Sequence, residues 1–207
     1  HSPAHKELDK IFNEFQEDSD AWVAIITGSG ERAFSAGNDL KYQAEGGKME
    51  SVSSGFAGLT SRYDLNKPII AAVNGVAMGG GFEIALACDL IIASDNATFA
   101  LPEPKVGLAA LAGGMHRLPR QIGMKRAMGM MLTGRTVKAE EGKDLGFVNE
   151  VVSQNELLNR AEEWANMIME CSPVSIRTTK NVAQNGLNYS SIEEAMNEKY
   201  ESVKTLF

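Results

Sequence analysis

Between Pro68 and Ala93 the chain sets two strand-length apolar runs on either side of a glycine triplet and a helix-length apolar segment. PIIAAV (Pro68–Val73) and LIIA (Leu90–Ala93) are short, uncharged and rich in β-branched residues, as strands buried on both faces should be. Asn74-Gly75 turns the chain after the first run, and Gly81 to Cys88 carries helix formers. Strand, helix and strand in such close order predict an α/β chain with crossover connections.

The rest of the sequence extends this reading. Leu8, Ile11, Phe12 and Phe15 line one face of an opening helix, and WVAIIT (Trp22–Thr27) is another candidate strand buried on both faces. Gly28-Ser29-Gly30 ends that strand, and the polar, Gly/Ser-rich stretch from Lys41 to Ser61 is the candidate for a mobile loop or lid. Ala97–Leu101 is extended and stops at Pro102-Glu103-Pro104. From Arg117 the pattern is mostly helical, with Pro119 as a first helical residue and an end near Thr133-Gly134. Met124, Met128, Met130 and Met131 read as adaptable core or interface packing rather than a soft binding groove. Lys138–Leu145 is a short helix, Phe147–Val152 a strand, and Ser153 to Glu156 a capping box opening a helix through Leu157, Ala161, Trp164, Ile168 and Cys171. Helices over Val174–Asn185 and Ile192–Leu206 complete the chain.

At 207 residues the chain suits one sizeable domain or one domain with a small appendage. Its net charge of −7 argues against a nucleic-acid partner, although a few local lysines or arginines suffice for an anionic small ligand. Cys88 and Cys171 lie in apolar, helix-like contexts and read as buried thiols, with no spacing suited to a disulfide framework or a metal. No apolar run approaches the roughly 18 residues of a membrane span. The chain begins at His1 without a methionine, so targeting is not legible from this end.

The chemistry concentrates around Gly79-Gly80-Gly81. A strand entering a helix through such a turn leaves unpaired backbone N–H groups at the helix N-terminus, with the helix dipole behind them. With no side chains in the way, a ligand carbonyl can approach them and find half of an oxyanion hole. Three glycines in isolation read first as a tight helix–sheet contact, and neither dinucleotide nor P-loop spacing is present. Glu83 follows on the apolar helix, where burial would raise its pKa into the range useful for proton transfer. Glu103 lies between two prolines on a stiff turn. Alone, Glu83 would be a solvated helix residue and Glu103 a surface carboxylate; together they suit a proton-shuttling site.

Asn74–Asp89, with FALPEPKVGLAALAGGMHRLPRQIG (Phe99–Gly123) and AFSAGNDLK (Ala33–Lys41), resembles the crotonase (enoyl-CoA hydratase/isomerase) superfamily, and LTGRTVKAEEGKDLGFVNEVV (Leu132–Val152) extends the likeness. In pattern the chain is closest to enoyl-CoA hydratases and carnitinyl-CoA dehydratases. The resemblance implies a spiral of ββα units over residues 1–135, holding the coenzyme A and catalytic sites, and a helical trimerisation region over 136–207. Relative to the family the chain looks trimmed, lacking a hairpin before His1 and a stretch after Phe207. It further implies an oxyanion hole from the N–H groups of Asn38 and Gly80, and a coenzyme A site including Ala36, Asn38, Asp39, Leu40 and Lys41, with Lys41 near the phosphates unless it is simply solvated. Glu83 and Glu103 would flank a water, with Gly113 and Gly114 beside it. The substrate would be an acyl-CoA, with coenzyme A part of that substrate, no metal or other cofactor, no nucleic acid or membrane partner, and a homotrimer or dimer of trimers in the cytoplasm or mitochondrial matrix.

An enoyl-CoA hydratase is the leading expectation. The alternatives are a carnitinyl-CoA dehydratase, an isomerase or thioester hydrolase of the same family, and a coenzyme A-binding scaffold without turnover. Ala110 stands where the family commonly has proline, His116 replaces a frequent glutamine, and Leu101 replaces a polar residue. These departures are expected around the acyl pocket, where they bear on substrate identity, and His116 is read as a packing or supporting residue rather than a base.

Overall fold

In the computed structural model, which describes residues 1–48, 50 and 52–207, the opening amphipathic pattern forms α1 (Ser2–Glu17) with Phe12 buried. The strands then arrive in pairs: β1 (Ala24–Thr27) and β2 (Ala33–Ser35), β3 (Ile69–Val73) and β4 (Val76–Met78), β5 (Leu90–Ser94) and β6 (Thr98–Ala100), then β7 (Val137–Lys138) and β8 (Glu150–Val152). Each pair gives one strand to each of two four-stranded sheets, ordered β1-β3-β5-β8 and β2-β4-β6-β7. All neighbours are parallel except β6 and β7. After the second pair, α3 (Gly80–Ala87) completes a ββα unit, the expected repeat of the spiral.

Period-two alternation explains how β3 and β5 are buried on both faces. Ile69, Ala71, Val73, Ile91 and Ala93 face the main core, where Phe82, Phe99 and Phe147 pack with ring centroids 5.0–5.2 Å apart. Ile70, Ala72 and Ile92 face the other way, onto Leu157, Ala161 and Ala165 of α7 (Leu157–Met169). Each buried isoleucine contributes about 2–3 kcal/mol relative to an exposed one. α8 (Pro173–Gly186) is tied to the same sheet through Asp89, which accepts from the Ile69 N–H and Lys180 Nζ (both 2.8 Å) and from Gln184 Nε2 (3.0 Å).

Several local expectations are corrected. β1 is an end strand paired only with β3, so Ala24 to Ile26 are half-buried and Thr27 is exposed. The expected lid holds α2 (Leu40–Ala44) and a 3-10 turn at Phe56–Gly58, where Ser54 and Ala57 to Thr60 are buried against the body of the protein. Met49 and Ser51, which fall in that stretch, lie outside the described residues. Pro119 is inside α4 (Gly114–Ile122), not at its start, and Gly123 separates α4 from α5 (Met124–Thr133). Of the methionines, Met130 is fully buried in α5 and Met124 is exposed. α6 (Ala139–Leu145) follows β7, and both β7 and β8 lie beyond residue 135, so strands continue into the C-terminal region. The Ser153 hydroxyl meets the Glu156 carboxylate directly, and a 3-10 turn intervenes before α7. The last helix is two, α9 (Ile192–Asn197) and α10 (Glu201–Lys204), because Thr178 and Asn181 of α8 hold Ser202 by hydrogen bonds of 2.8 and 2.9 Å. Cys88 is buried, but Cys171 falls just beyond α7 and is exposed.

Candidate active site

The glycine triplet divides its labour. Gly79 (φ 54, ψ −126) turns β4 into α3 in a backbone geometry that favours glycine. Its N–H donates to the Ala100 carbonyl (2.9 Å) and its carbonyl accepts from the Glu83 N–H (3.0 Å). Gly81 serves packing, since a methyl group there would fall 2.0 Å from the Ser35 carbonyl oxygen. Gly80 opens α3, where the first-turn N–H groups have no intrahelical acceptor. Gly37 (φ 85) lies directly over it: a methyl on Gly37 would sit 2.8 Å from both the Gly80 nitrogen and the Met78 oxygen. The FSAGNDL segment therefore lies against the glycine turn, which brings the backbones at Asn38 and Gly80 into one site.

The Glu103 carboxylate meets the same turn, and the Glu83 carboxylate lies near it. Glu83, 3% exposed, projects from α3, and its Oε1 accepts the N–H of Gly114 at 2.8 Å. A carboxylate thus caps the first residue of α4, the favourable end of that helix dipole. Burial pushes the Glu83 pKa up from 4.5 to about 7; the nearby Glu103 carboxylate also raises it, against the hydrogen bond from Gly114 and the Arg117 charge. Glu103 begins a 3-10 turn, Glu103–Val106, after β6. Its Oε1 lies 3.0 Å from where a methyl on Gly79 would sit, and burial raises its pKa too. Among the described residues, Glu103 Oε2 and Asn38 Oδ1 are buried polar atoms without a hydrogen-bond partner. Orphaned polar atoms are uncommon in folded proteins, and two of them belong to residues expected at this site.

The remaining expected residues fall in two groups. Gly113 (φ 110) precedes α4 and Gly114 is buried against Glu83, so this pair joins the cluster. Ala36, Leu40 and Lys41 are exposed, Lys41 lying 3.8 Å from Glu45 along α2, while Asp39 accepts the Tyr42 N–H at 2.9 Å and shapes the start of that helix. The three departures from the family pattern do not all surround this cluster. Ala110 is buried beside Gly114, Leu101 belongs to the main core, and His116 is exposed, which corrects its reading as a packing residue.

Other residues of the site give no local signal in the sequence. Arg117 is half-buried beside Gly113, donates to the Thr60 carbonyl (2.8 Å), and contributes positive charge toward Glu83. Phe56 covers the α-carbon of Gly80. Asn74, in the turn after β3, is buried and pins the loop before β2: Oδ1 accepts the Gly28 N–H (3.0 Å), and Nδ2 donates to the carbonyls of Gly28 (3.1 Å) and Gly30 (2.6 Å). An asparagine before glycine reads as turn chemistry, and that reading hides its tertiary role.

The enoyl-CoA hydratase/isomerase family model matches residues 2–206. The carnitinyl-CoA dehydratase of Proteus mirabilis is 46% identical over 190 residues, covering 91% of this chain and 72% of that protein. The carnitinyl-CoA dehydratase of Citrobacter koseri is 48% identical over 178 residues, covering 85% and 68%. Among solved structures, an enoyl-CoA hydratase of Mycobacterium marinum superposes over 100% of this chain and 81% of its own with a TM-score of 0.93 at 34% identity. A carnitinyl-CoA dehydratase of Mycobacterium avium superposes over 99% and 83%, with a TM-score of 0.86 at 35% identity. The same ββα spiral, matched along almost its whole length, makes this chain a member of the enoyl-CoA hydratase/isomerase (crotonase) family.

Proposed function

We propose that the chain is a hydro-lyase acting on acyl-CoA thioesters, adding water reversibly across the double bond of a 2-enoyl-CoA. The observation that supports the reading is the pairing of buried Glu83 with half-buried Glu103, whose carboxylate lies beside the glycine turn that presents the Gly80 N–H. The thioester carbonyl would accept from Gly80 and Asn38, whose donors strengthen their hold as charge moves onto the oxygen. One such donor is worth about 3 kcal/mol of barrier. With a pKa of about 7, Glu83 is substantially ionised near neutrality and removes a proton from water as the hydroxyl adds to the β-carbon. Glu103, whose pKa burial also raises, delivers a proton to the α-carbon. The Glu83 proton then returns to Glu103 or to solvent, and dehydration runs the steps backwards.

The carnitinyl-CoA dehydratases at 46–48% identity favour a second reading, in which the same chemistry acts on a carnitinyl-type acyl group. Loss of the conjugated thioester absorbance of crotonyl-CoA, measured beside dehydration of carnitinyl-CoA, ranks the two. Glu103→Gln should cost at least about 100-fold on whichever substrate turns over. Negligible rates on both, despite coenzyme A binding, would establish the scaffold alternative instead. Exposed apolar residues at the C-terminal end, Ile192, Met196 and Phe207, support the homotrimer or dimer of trimers, which sedimentation would test. No helix of the described residues is long and apolar enough to cross a membrane. The bacterial relatives support the cytoplasm of the two compartments and offer the mitochondrial matrix no support.

A further inference from the structure

His5 of α1 accepts the Ala57 N–H through Nδ1 at 2.8 Å, in a fully buried contact between segments remote in sequence. Ala57 has φ 54 and ψ 25; among the described residues it alone adopts a positive φ without being glycine. That conformation crowds an L side chain and persists only where its surroundings impose it. The Phe56 ring lies edge-on to the His5 imidazole, with centroids 4.4 Å apart, and its Cε1 is 2.7 Å from where a methyl on Gly80 would sit. One imidazole, one strained residue and one ring thus connect α1 to the backbone that opens α3.

The turn is clamped from other directions too. Four residues along α1 from His5, Asp9 receives Arg62 Nη2 on both its carbonyl and its carboxylate (2.8 Å each) and pairs with the Ser54 hydroxyl. The Phe56 N–H donates to Thr60 Oγ1 (2.8 Å), and the Thr60 carbonyl accepts Arg117, which neighbours Gly113 and Glu83. Apolar packing alone does not account for His5. With Nδ1 accepting, the neutral ring carries its proton on Nε2, which is buried without a partner among the described residues. Burial lowers the imidazole's pKa and favours its neutral form. A phenylalanine or leucine would fill the space without leaving a donor unpaired. What histidine adds is an acceptor that holds Ala57 where alanine would not otherwise stay.

We propose that His5 is a positioning residue: by fixing Ala57 it seats Phe56 on Gly80 and so sets the direction of the Gly80 N–H. The inference rests on the reading of Gly80 as a thioester-carbonyl donor. A donor that matters most in the transition state should register in kcat more than in KM when it is misaligned. His5→Phe keeps a ring and removes the acceptor, whereas His5→Asn keeps an acceptor at the δ position.

The test pairs crotonyl-CoA kinetics with the infrared carbonyl stretch of bound butyryl-CoA, which cannot react and reports donor alignment without turnover. His5→Phe is expected to lower kcat about tenfold with KM nearly unchanged, and to move the carbonyl stretch back toward its value in water. His5→Asn should stay within about threefold of the parent, and adding Ala57→Gly to His5→Phe should recover activity, because glycine adopts that conformation unaided. Wild-type values of kcat and carbonyl stretch in His5→Phe would overturn the proposal, as would a His5→Asn variant equally impaired. If His5→Phe does not fold, Phe56→Leu with His5 intact must show the same kcat loss and infrared change, and parental values there also overturn it. An unshifted carbonyl in the parent protein would instead overturn the donor reading of Gly80, and this inference with it.

Discussion

Replacing Glu83 with glutamine should make the protein more stable above neutral pH while crippling the proposed reaction. In the fold this carboxyl keeps its proton up to about pH 7, against 4.5 for an ordinary glutamate, because burial disfavours the anion. Between those two values the folded state binds more proton than the unfolded chain, so stability falls as pH rises through that window. At 1.36 kcal/mol per pH unit, the full effect above pH 7 is about 3 kcal/mol. Glutamine has nearly the same shape, can still accept the Gly114 N–H, and carries no charge. Parent and Glu83→Gln should therefore match near pH 4.5 and diverge by about 3 kcal/mol near pH 8.5, with the variant the more stable. Urea denaturation at both pH values and one protein concentration measures this, since titrating groups that do not interact with Glu83 cancel between the two proteins. A difference that does not change with pH, or that favours the parent at high pH, would refute the claim that ionised Glu83 is a buried liability. The same variant should lose at least about 100-fold in hydration rate.

Three further outcomes follow from the geometry. Gly81→Ala places a methyl against the Ser35 carbonyl oxygen, backbone against backbone, and should cost about 3 kcal/mol in thermal or urea denaturation. Asn74→Ala removes the pin on the Gly28–Gly30 loop and leaves the Gly28 N–H unpaired, a loss of about 2–3 kcal/mol that limited proteolysis of the loop should also register. Lys41, with 85% of its side chain exposed, should matter only through coenzyme A phosphates. Lys41→Ala should then raise KM about threefold at low salt, less at high salt, and not at all for a phosphate-free pantetheine thioester.

Much of this architecture is legible in the sequence wherever burial is symmetrical. PIIAAV and LIIA announce themselves because β3 and β5 have neighbours on both edges and cores on both faces. WVAIIT carries the same composition, yet β1 lies at a sheet edge, a fact that depends on strand order and not on the run itself. Pro119 was a reasonable helix start by local rules. The true start, Gly114, is set by the Glu83 carboxylate from another helix 31 residues earlier, which no local pattern records. The stretch from Lys41 to Ser61 reads as a lid because it is polar and Gly/Ser-rich. Within it Ser54 and Ala57 to Thr60 are buried, held by Asp9, His5 and Arg117, partners supplied by α1 and α4. Glu83 and Glu103 could be picked out because carboxylates are rare in such company, whereas Phe56 and Thr60 carry no mark until the chain is folded.

Gly79 meets both members of the proposed proton-transfer pair, through the Glu83 amide on one side and the Glu103 carboxylate on the other. One main-chain turn thereby anchors the backbone of the first and neighbours the carboxylate of the second. Val106, Leu108 and Leu111, on the chain between Glu103 and Gly113, are exposed and take no part in that turn. Substitutions there can accumulate without moving the turn that holds Glu83 and Glu103 in place.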